Sequence, residues 1–135
     1  MPADVGGVDL VLGQEVVCGA LSVVVKSYHV TEAFVFYLEF YQATVAVKAQ
    51  TGHGLLILEA SVRNAGGNTA FEYASRIRVV DQEGVTYTPE LIGAEGALPG
   101  YVQLNPGERV DGFLVYEVPL DRKINRLKST HSNLV

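Results

Sequence analysis

"LLILEASVRN", residues 55–64, is the stretch on which the fold turns. In an extended chain Leu56, Leu58, Ala60 and Val62 share one face, and Glu59, Ser61 and Arg63 share the other. That is the period of two expected of a strand with one side in a core and one side in water. The pattern repeats outward in both directions. Toward the N-terminus, Leu21, Val23 and Val25 alternate with Ser22, Val24 and Lys26, after "EVVC" and the turn residue Gly19. Leu10 and Leu12 precede another turn residue, Gly13. Beyond the loop "NAGGN", Ile77 and Val79 alternate with Arg76, Arg78 and Val80, and "DQEG" leads into "VTYTP" as a hairpin. Gly84 is available there for positive φ, and Asp81 for hydrogen bonds to the turn backbone.

The stretch "LNPGERVDGFLVYEVP", residues 104–119, adds a turn and a long strand. Pro106 presets φ and Gly107 accepts a left-handed conformation. Val110, Leu114, Tyr116 and Val118 then share one face, with Asp111, Val115 and Glu117 on the other. Gly112 leaves room for a neighbouring backbone or marks a bulge. Pro119 ends the strand, and "INRLKS" supplies a last, charge-rich edge strand. Leu58, Val62, Leu114 and Tyr116 are the expected core. Short strands punctuated by turn residues predict an all-β sandwich or barrel.

At 135 residues the chain is expected to form one domain, residues 1–135, with a core that needs neither disulfide nor metal. The net charge of −5 is spread along the chain, without a cluster of Lys and Arg, which argues against nucleic acid or an anionic membrane surface as partner. Cys18 is the only cysteine and reads as a small buried residue rather than a nucleophile. "MPADVGGVDL" has no basic region and no continuous apolar stretch, so neither an export signal nor a lipid-attachment site is expected before Cys18. The apolar runs are too short to span a bilayer.

"GQEVVCGALSVVVKS", "LEASVRNAGGNTAFEYASRIRVVDQEGVTYTP" and "LNPGERVDGFLVYEVP" together resemble a bacterial and archaeal immunoglobulin-like domain of unknown function, labelled telomeric repeat-binding factor-like. The resemblance rests on Gly13, Glu15, Asn64, Asp81, Gly84, Tyr87, Asn105-Pro106-Gly107 and Glu117-Val118-Pro119, and covers most of the chain. It implies an immunoglobulin-like antiparallel β-sandwich of about seven strands. It also implies an extracellular or cell-envelope location, common for such secreted proteins and lipoproteins, and kinship in fold with mycobacterial secreted immunoprotective antigens. No catalytic residues come with it.

One segment departs from the family pattern. "VTEAFVFYLEFYQATVAVKAQTGHG" is long and aromatic, with Phe34, Phe36, Leu38 and Phe40 on one face of the expected strand 34–41 and Val35, Tyr37 and Tyr41 on the other, where only Glu39 is charged. A strand apolar on both faces must be covered on both, by its own chain or by another. A continuous apolar run is also how a central strand reads, which favours cover from within the chain. The competing expectation is that one face packs inside while Tyr37, Glu39 and Tyr41 form an interface. Homodimerisation is the simplest version, since one self-complementary patch closes a twofold assembly.

Catalytic chemistry is absent from the pattern. His29, His53 and His131 have no Cys or carboxylate at metal-ligand spacing, so no metal site and no cofactor are expected. The carboxylate pairs Asp9 with Glu15 and Asp81 with Glu83 fall in turns and on solvent faces. "DQEG" lacks the alternating acids of a calcium loop, "AGG" does not open a helix as a phosphate cradle must, and no nucleophile elbow holds a serine. The expected function is therefore a non-enzymatic protein-interaction module. The alternatives are a small-ligand carrier with an aromatic cleft near Phe34 to Tyr41, and a proteinase-inhibitor-like binding domain.

Overall fold

The structure, a computed structural model, describes residues 10–18, 20–90 and 95–129. The expectations for the N-terminal stretch and for Asp9, Gly19 and His131 lie outside those residues. The described chain forms eleven strands: β1 (Glu15–Cys18), β2 (Leu21–Thr31), β3 (Ala33–Leu38), β4 (Ala43–Lys48), β5 (His53–Arg63), β6 (Ala70–Tyr73), β7 (Ile77–Asp81), β8 (Thr86–Tyr87), β9 (Tyr101–Leu104), β10 (Arg109–Pro119) and β11 (Ile124–Ser129). The count exceeds the seven or so of the sequence reading because short pieces such as β8 and the β6–β9 ribbon are strands in their own right.

A four-stranded antiparallel sheet, ordered β1-β2-β5-β10, is the middle of the molecule. Its strands β5 and β10 are in continuous register from Arg109 opposite Arg63 to Pro119 opposite His53, so Leu114 lies beside Leu58. On one side it packs against the sheet β11-β7-β8 and the ribbon β6-β9. Leu56, Leu58, Ala60, Val62, Leu114, Tyr116 and Val118 enter this core, as their alternation predicts, together with Val23, Ile77, Val79 and Ile124. Cys18 is buried there, and the Tyr116 hydroxyl donates to the Ile77 carbonyl at 2.6 Å, which satisfies a polar atom in the apolar interior.

The turns follow the chemistry of their residues. Gly107 has φ +84° in the Asn105–Glu108 turn, closed by the Glu108 N–H donating to the Asn105 carbonyl at 3.0 Å. Asn64, fully buried, ties that turn to the end of β5. Its Nδ2 donates to the carbonyls of Asn68 at 2.7 Å and Leu104 at 2.9 Å, and its Oδ1 accepts from the Gly66 N–H at 2.9 Å. Gly112 is a close approach and not a bulge, since a Cβ there would lie 2.7 Å from the Leu98 nitrogen. Residues 96–98 run along the edge of β10 at that point, with the Leu98 N–H donating to the Phe113 carbonyl.

The aromatic segment differs from its reading in two respects. The strand ends at Leu38, not at residue 41, and Glu39, Phe40, Tyr41 and Gln42 form the turn into β4. Phe40 therefore does not share the inner face. The segment is also not covered on both sides by its own chain. The hairpin β3–β4 lies on the far side of the four-stranded sheet as a third layer. There Phe34, Phe36, Leu38, Val45 and Val47 pack on Leu55, Ile57, Phe113 and Val115, while Val35 and Tyr37 face outward. A two-stranded ribbon has only one face to give to the core, so the other meets solvent.

Candidate interaction surface

The hairpin is held from beneath by aromatic packing. The Phe34 ring lies 5.3 Å from that of Phe113, edge to face, and 5.9 Å from that of Phe36. These separations suit aromatic pairs, each contributing roughly 0.5–1.5 kcal/mol beyond its buried area. Of the rings between Phe34 and Tyr41 expected to line a cleft, Phe34 and Phe36 instead fill the space between hairpin and sheet. At the tip, the Tyr41 N–H donates to the Leu38 carbonyl at 3.2 Å and the Gln42 N–H to the Glu39 carbonyl at 3.1 Å. Gln42 has φ +49° and is the only non-glycine residue with positive φ among those described. For such a residue the left-handed region is sparsely populated, with a cost of order 1–3 kcal/mol that the closed turn offsets.

This geometry presents apolar surface to water. Phe40 is 89% exposed, Tyr41 70%, Val35 62% and Tyr37 41%. The Phe40 and Tyr41 rings pack edge to face, 5.0 Å apart. Of the residues singled out in the sequence, Tyr37 projects from the outer face of β3, and Glu39 and Tyr41 sit in the turn. They share one end of the hairpin but not one strand face. Phe40 was missed because strand alternation carried past Leu38 assigns it to the interior; the polar residues Glu39 and Gln42 bracketing Phe40-Tyr41 are the signal for a turn.

A second aromatic group, on the ribbon β6–β9, has no counterpart in the sequence reading. Phe71, Tyr73 and Tyr101 are exposed, with ring centroids 5.4 Å apart for Phe71–Tyr101 and 5.3 Å for Tyr73–Tyr101. The Arg76 guanidinium lies 5.4 Å from the centre of the Tyr73 ring. Glu72 is buried between the outward Phe71 and Tyr73, accepting from the Tyr73 N–H at 3.0 Å and pairing with Arg76 at 3.3 Å.

The polar clusters are engaged within the scaffold. Asp81 is buried at the end of β7. Its Oδ1 accepts from the Glu83 and Val85 N–H groups at 2.8 and 2.9 Å, and its Oδ2 from the Tyr87 hydroxyl at 2.8 Å, with Arg122 at 3.5 Å. Burial pushes the Asp81 carboxyl up, but the hydrogen bonds from Val85, Tyr87 and Glu83 and the Arg122 charge outweigh it and hold it below the ordinary carboxylate value. Burial, the bond to Asp81 and the Asp81 charge push the Tyr87 phenol up to about 12. The arrangement locks a turn, as its sequence suggested. On the open part of the four-stranded sheet, Glu15, Lys26, Arg63 and Arg109 line a shallow hollow of about 300 Å³. Arg63 pairs with Glu15 at 3.1 Å, and Lys26 and Arg109 both reach Asp111, at 3.3 and 3.4 Å. Among the described residues no three His, Cys, Asp or Glu side chains gather as metal ligands, and no helix is long and apolar enough to cross a membrane.

Similar architectures occur in solved structures. An uncharacterized β-sandwich protein from Clostridium difficile 630 aligns over 96% of this chain and 98% of its own, at 10% identity and a TM-score of 0.50. The secreted protein MPT63 from Mycobacterium tuberculosis aligns over 87% of this chain and 93% of its own, at 14% identity and a TM-score of 0.58. The yjhA protein from Bacillus subtilis aligns over 82% and 73%, at 20% identity and a TM-score of 0.54. No curated protein matches the sequence. At these identities the likeness establishes a β-sandwich and no shared activity. The family model that matches spans residues 10–133, nearly the whole sandwich, and the chain belongs to the family described as a domain of unknown function, DUF4352.

Proposed function

We propose that the chain is a non-enzymatic, immunoglobulin-like module that binds a protein partner through the outward side and tip of the β3–β4 hairpin. One observation carries the reading: Phe40 and Tyr41, 89% and 70% exposed, are held at the end of a hairpin whose other face is anchored by Phe34 and Phe36. Exposed aromatic groups on a preorganised base lose little conformational entropy on docking, and tyrosine buries its ring while its hydroxyl finds a partner. Tyr37 and Glu39 extend the surface, and the Glu39 carboxylate gives a polar rim that favours a partner with basic groups beside an apolar pocket.

The absence of catalysis is part of the reading, supported by carboxylates such as Glu15, Asp81, Glu83 and Asp111 that are taken up in ion pairs and turn hydrogen bonds. Action outside the cytoplasm is also part of it, in line with the secreted mycobacterial neighbour and with the kinship to exported immunoglobulin-like domains. Fractionation that finds the native protein only in the cytosol would remove that part. The test of the whole is capture on the immobilised chain from a native extract, with retained proteins and small molecules identified by mass spectrometry. A retained protein supports the reading; a retained small molecule without one overturns it in favour of a carrier.

A further inference from the structure

Two of the sheet edges contrast, those of β11 and β4. The edge strand β11 carries Arg126 and Lys128, and its pairing with β7 shifts register between Ile124 and Arg126. Charges and bulges are the usual protection of a strand edge against another strand. The edge strand β4, "ATVAVK", pairs among the described residues only with β3, in unbroken register from Ala33 opposite Lys48 to Leu38 opposite Ala43. It has no proline, no bulge and no charge before Lys48.

The register fixes which backbone groups of β4 face outward. The Ala49 N–H donates to the Glu32 carbonyl at 2.9 Å, so residues 32 and 49 are a hydrogen-bonded pair. Alternation makes 34–47, 36–45 and 38–43 hydrogen-bonded as well. The N–H and C=O groups of Thr44, Ala46 and Lys48 therefore point away from β3. On β3 the same rule turns the Tyr37 carbonyl outward, and it accepts from the Glu95 N–H at 3.3 Å. Among the described residues nothing equivalent pairs with the far edge of β4.

We infer that β4 is a strand-addition site whose occupant is β4 of a second copy, antiparallel about a twofold axis through Ala46. This rests on the hairpin being an interaction element but uses its edge, not its tyrosine face. The observation favouring a second copy is self-complementarity. With Ala46 opposite Ala46, Thr44 lies opposite Lys48 and Lys48 opposite Thr44, so every outward group in the row meets a like-facing group and the two lysines stay apart. Val45 then lies opposite Val47 on the inner face, where both are only partly buried in one chain. The twofold consumes both edges and closes a four-stranded sheet, β3-β4-β4-β3, leaving no free β4 edge for further growth.

Sedimentation of the full chain at rising concentration, beside Ala46→Pro and Tyr37→Glu, tests this. Proline at 46 removes an outward N–H and no bond to β3, a position where an edge strand tolerates it. The wild type and Tyr37→Glu are expected to reach twice the monomer mass at high micromolar concentration, and folded Ala46→Pro to stay monomeric. A wild type that stays monomeric, or an Ala46→Pro that still doubles, overturns the inference. Loss of the dimer in Tyr37→Glu alone also overturns it, moving the contact to the tyrosine face. Hydrogen exchange on the wild type gives a check that needs no variant. Amides 44, 46 and 48 should gain protection with concentration, and protection independent of concentration would show that the chain covers its own edge.

Discussion

Leu58 and Ile57 occupy adjacent positions on β5, are both buried, and are covered by different parts of the molecule. Leu58 faces the main core, with Leu114 and Tyr28 beside it in the sheet and the opposing layer of β7 and β11 in front. Ile57 faces the hairpin, a single ribbon whose contribution is Phe34, Phe36, Leu38, Val45 and Val47. The first cover is a three-stranded sheet with a second ribbon beside it, the thick side of the molecule, and the second is one two-stranded ribbon, the thin side. The larger cover stabilises the fold; the smaller, with its exposed far side, is free to present surface. The candidate interface lies where cover of the central sheet is one ribbon deep.

The largest expected effect is on the thick side. Leu58→Ala should cost about 2–5 kcal/mol by denaturant unfolding, through lost burial and a residual cavity. A loss below about 0.5 kcal/mol, the surface range, would show the faces of β5 to be reversed. Phe36→Ala is the matching change on the thin side and should cost less, about 1–3 kcal/mol, because the hairpin can open without the sandwich unfolding. Hydrogen exchange would then show β3 and β4 amides losing protection while β5 and β10 keep theirs. Uniform loss across all four strands would erase the distinction between layers.

Acid offers a subtler way to separate the layers. The folded Asp81 value lies below its ordinary 3.8, so its stabilising contribution is complete above the unfolded value and is lost as pH falls through the folded one. Tyr87 runs the opposite way: its contribution is complete below pH 10.0 and lost as pH rises through about 12. Asp81→Asn should be less stable than the wild type at neutral pH and show a shallower decline on acidification below pH 3.8. Parallel wild-type and variant pH curves would remove Asp81 from the acid response. The smallest effect on folding is expected at Tyr37→Glu, within about 0.5 kcal/mol of wild type, since the side chain already meets water. A loss of several kcal/mol would place Tyr37 under cover.

The thick side was legible in sequence because its strands obey simple alternation. Leu56 to Val62 and Leu114 to Val118 put every even position inside, and Asp81, Gly84, Pro106 and Gly107 announce turns by their own chemistry. The thin side resisted for physical reasons. Leu38-Glu39-Phe40-Tyr41-Gln42 contains neither glycine nor proline nor asparagine, so the apolar run hides a turn that depends on Gln42 adopting φ +49°. On β6 the alternation is present with its phase inverted. Glu72 occupies the inner position because Arg76, four residues on, pairs with it, leaving Phe71 and Tyr73 outside. Such a phase depends on a contact between side chains, which hydropathy does not record.

The central claim is that binding runs through the exposed side of the thin layer. Its most direct test is quantitative capture of protein partners from a native extract by the wild type, Tyr37→Glu and Tyr73→Glu, all confirmed folded by circular dichroism. Tyr73 is the control because it is also an exposed aromatic, but on the β6–β9 ribbon. Retention by the wild type and by Tyr73→Glu, with loss in Tyr37→Glu, is the predicted result. Unchanged retention by Tyr37→Glu would contradict the account and remove the hairpin face from the function.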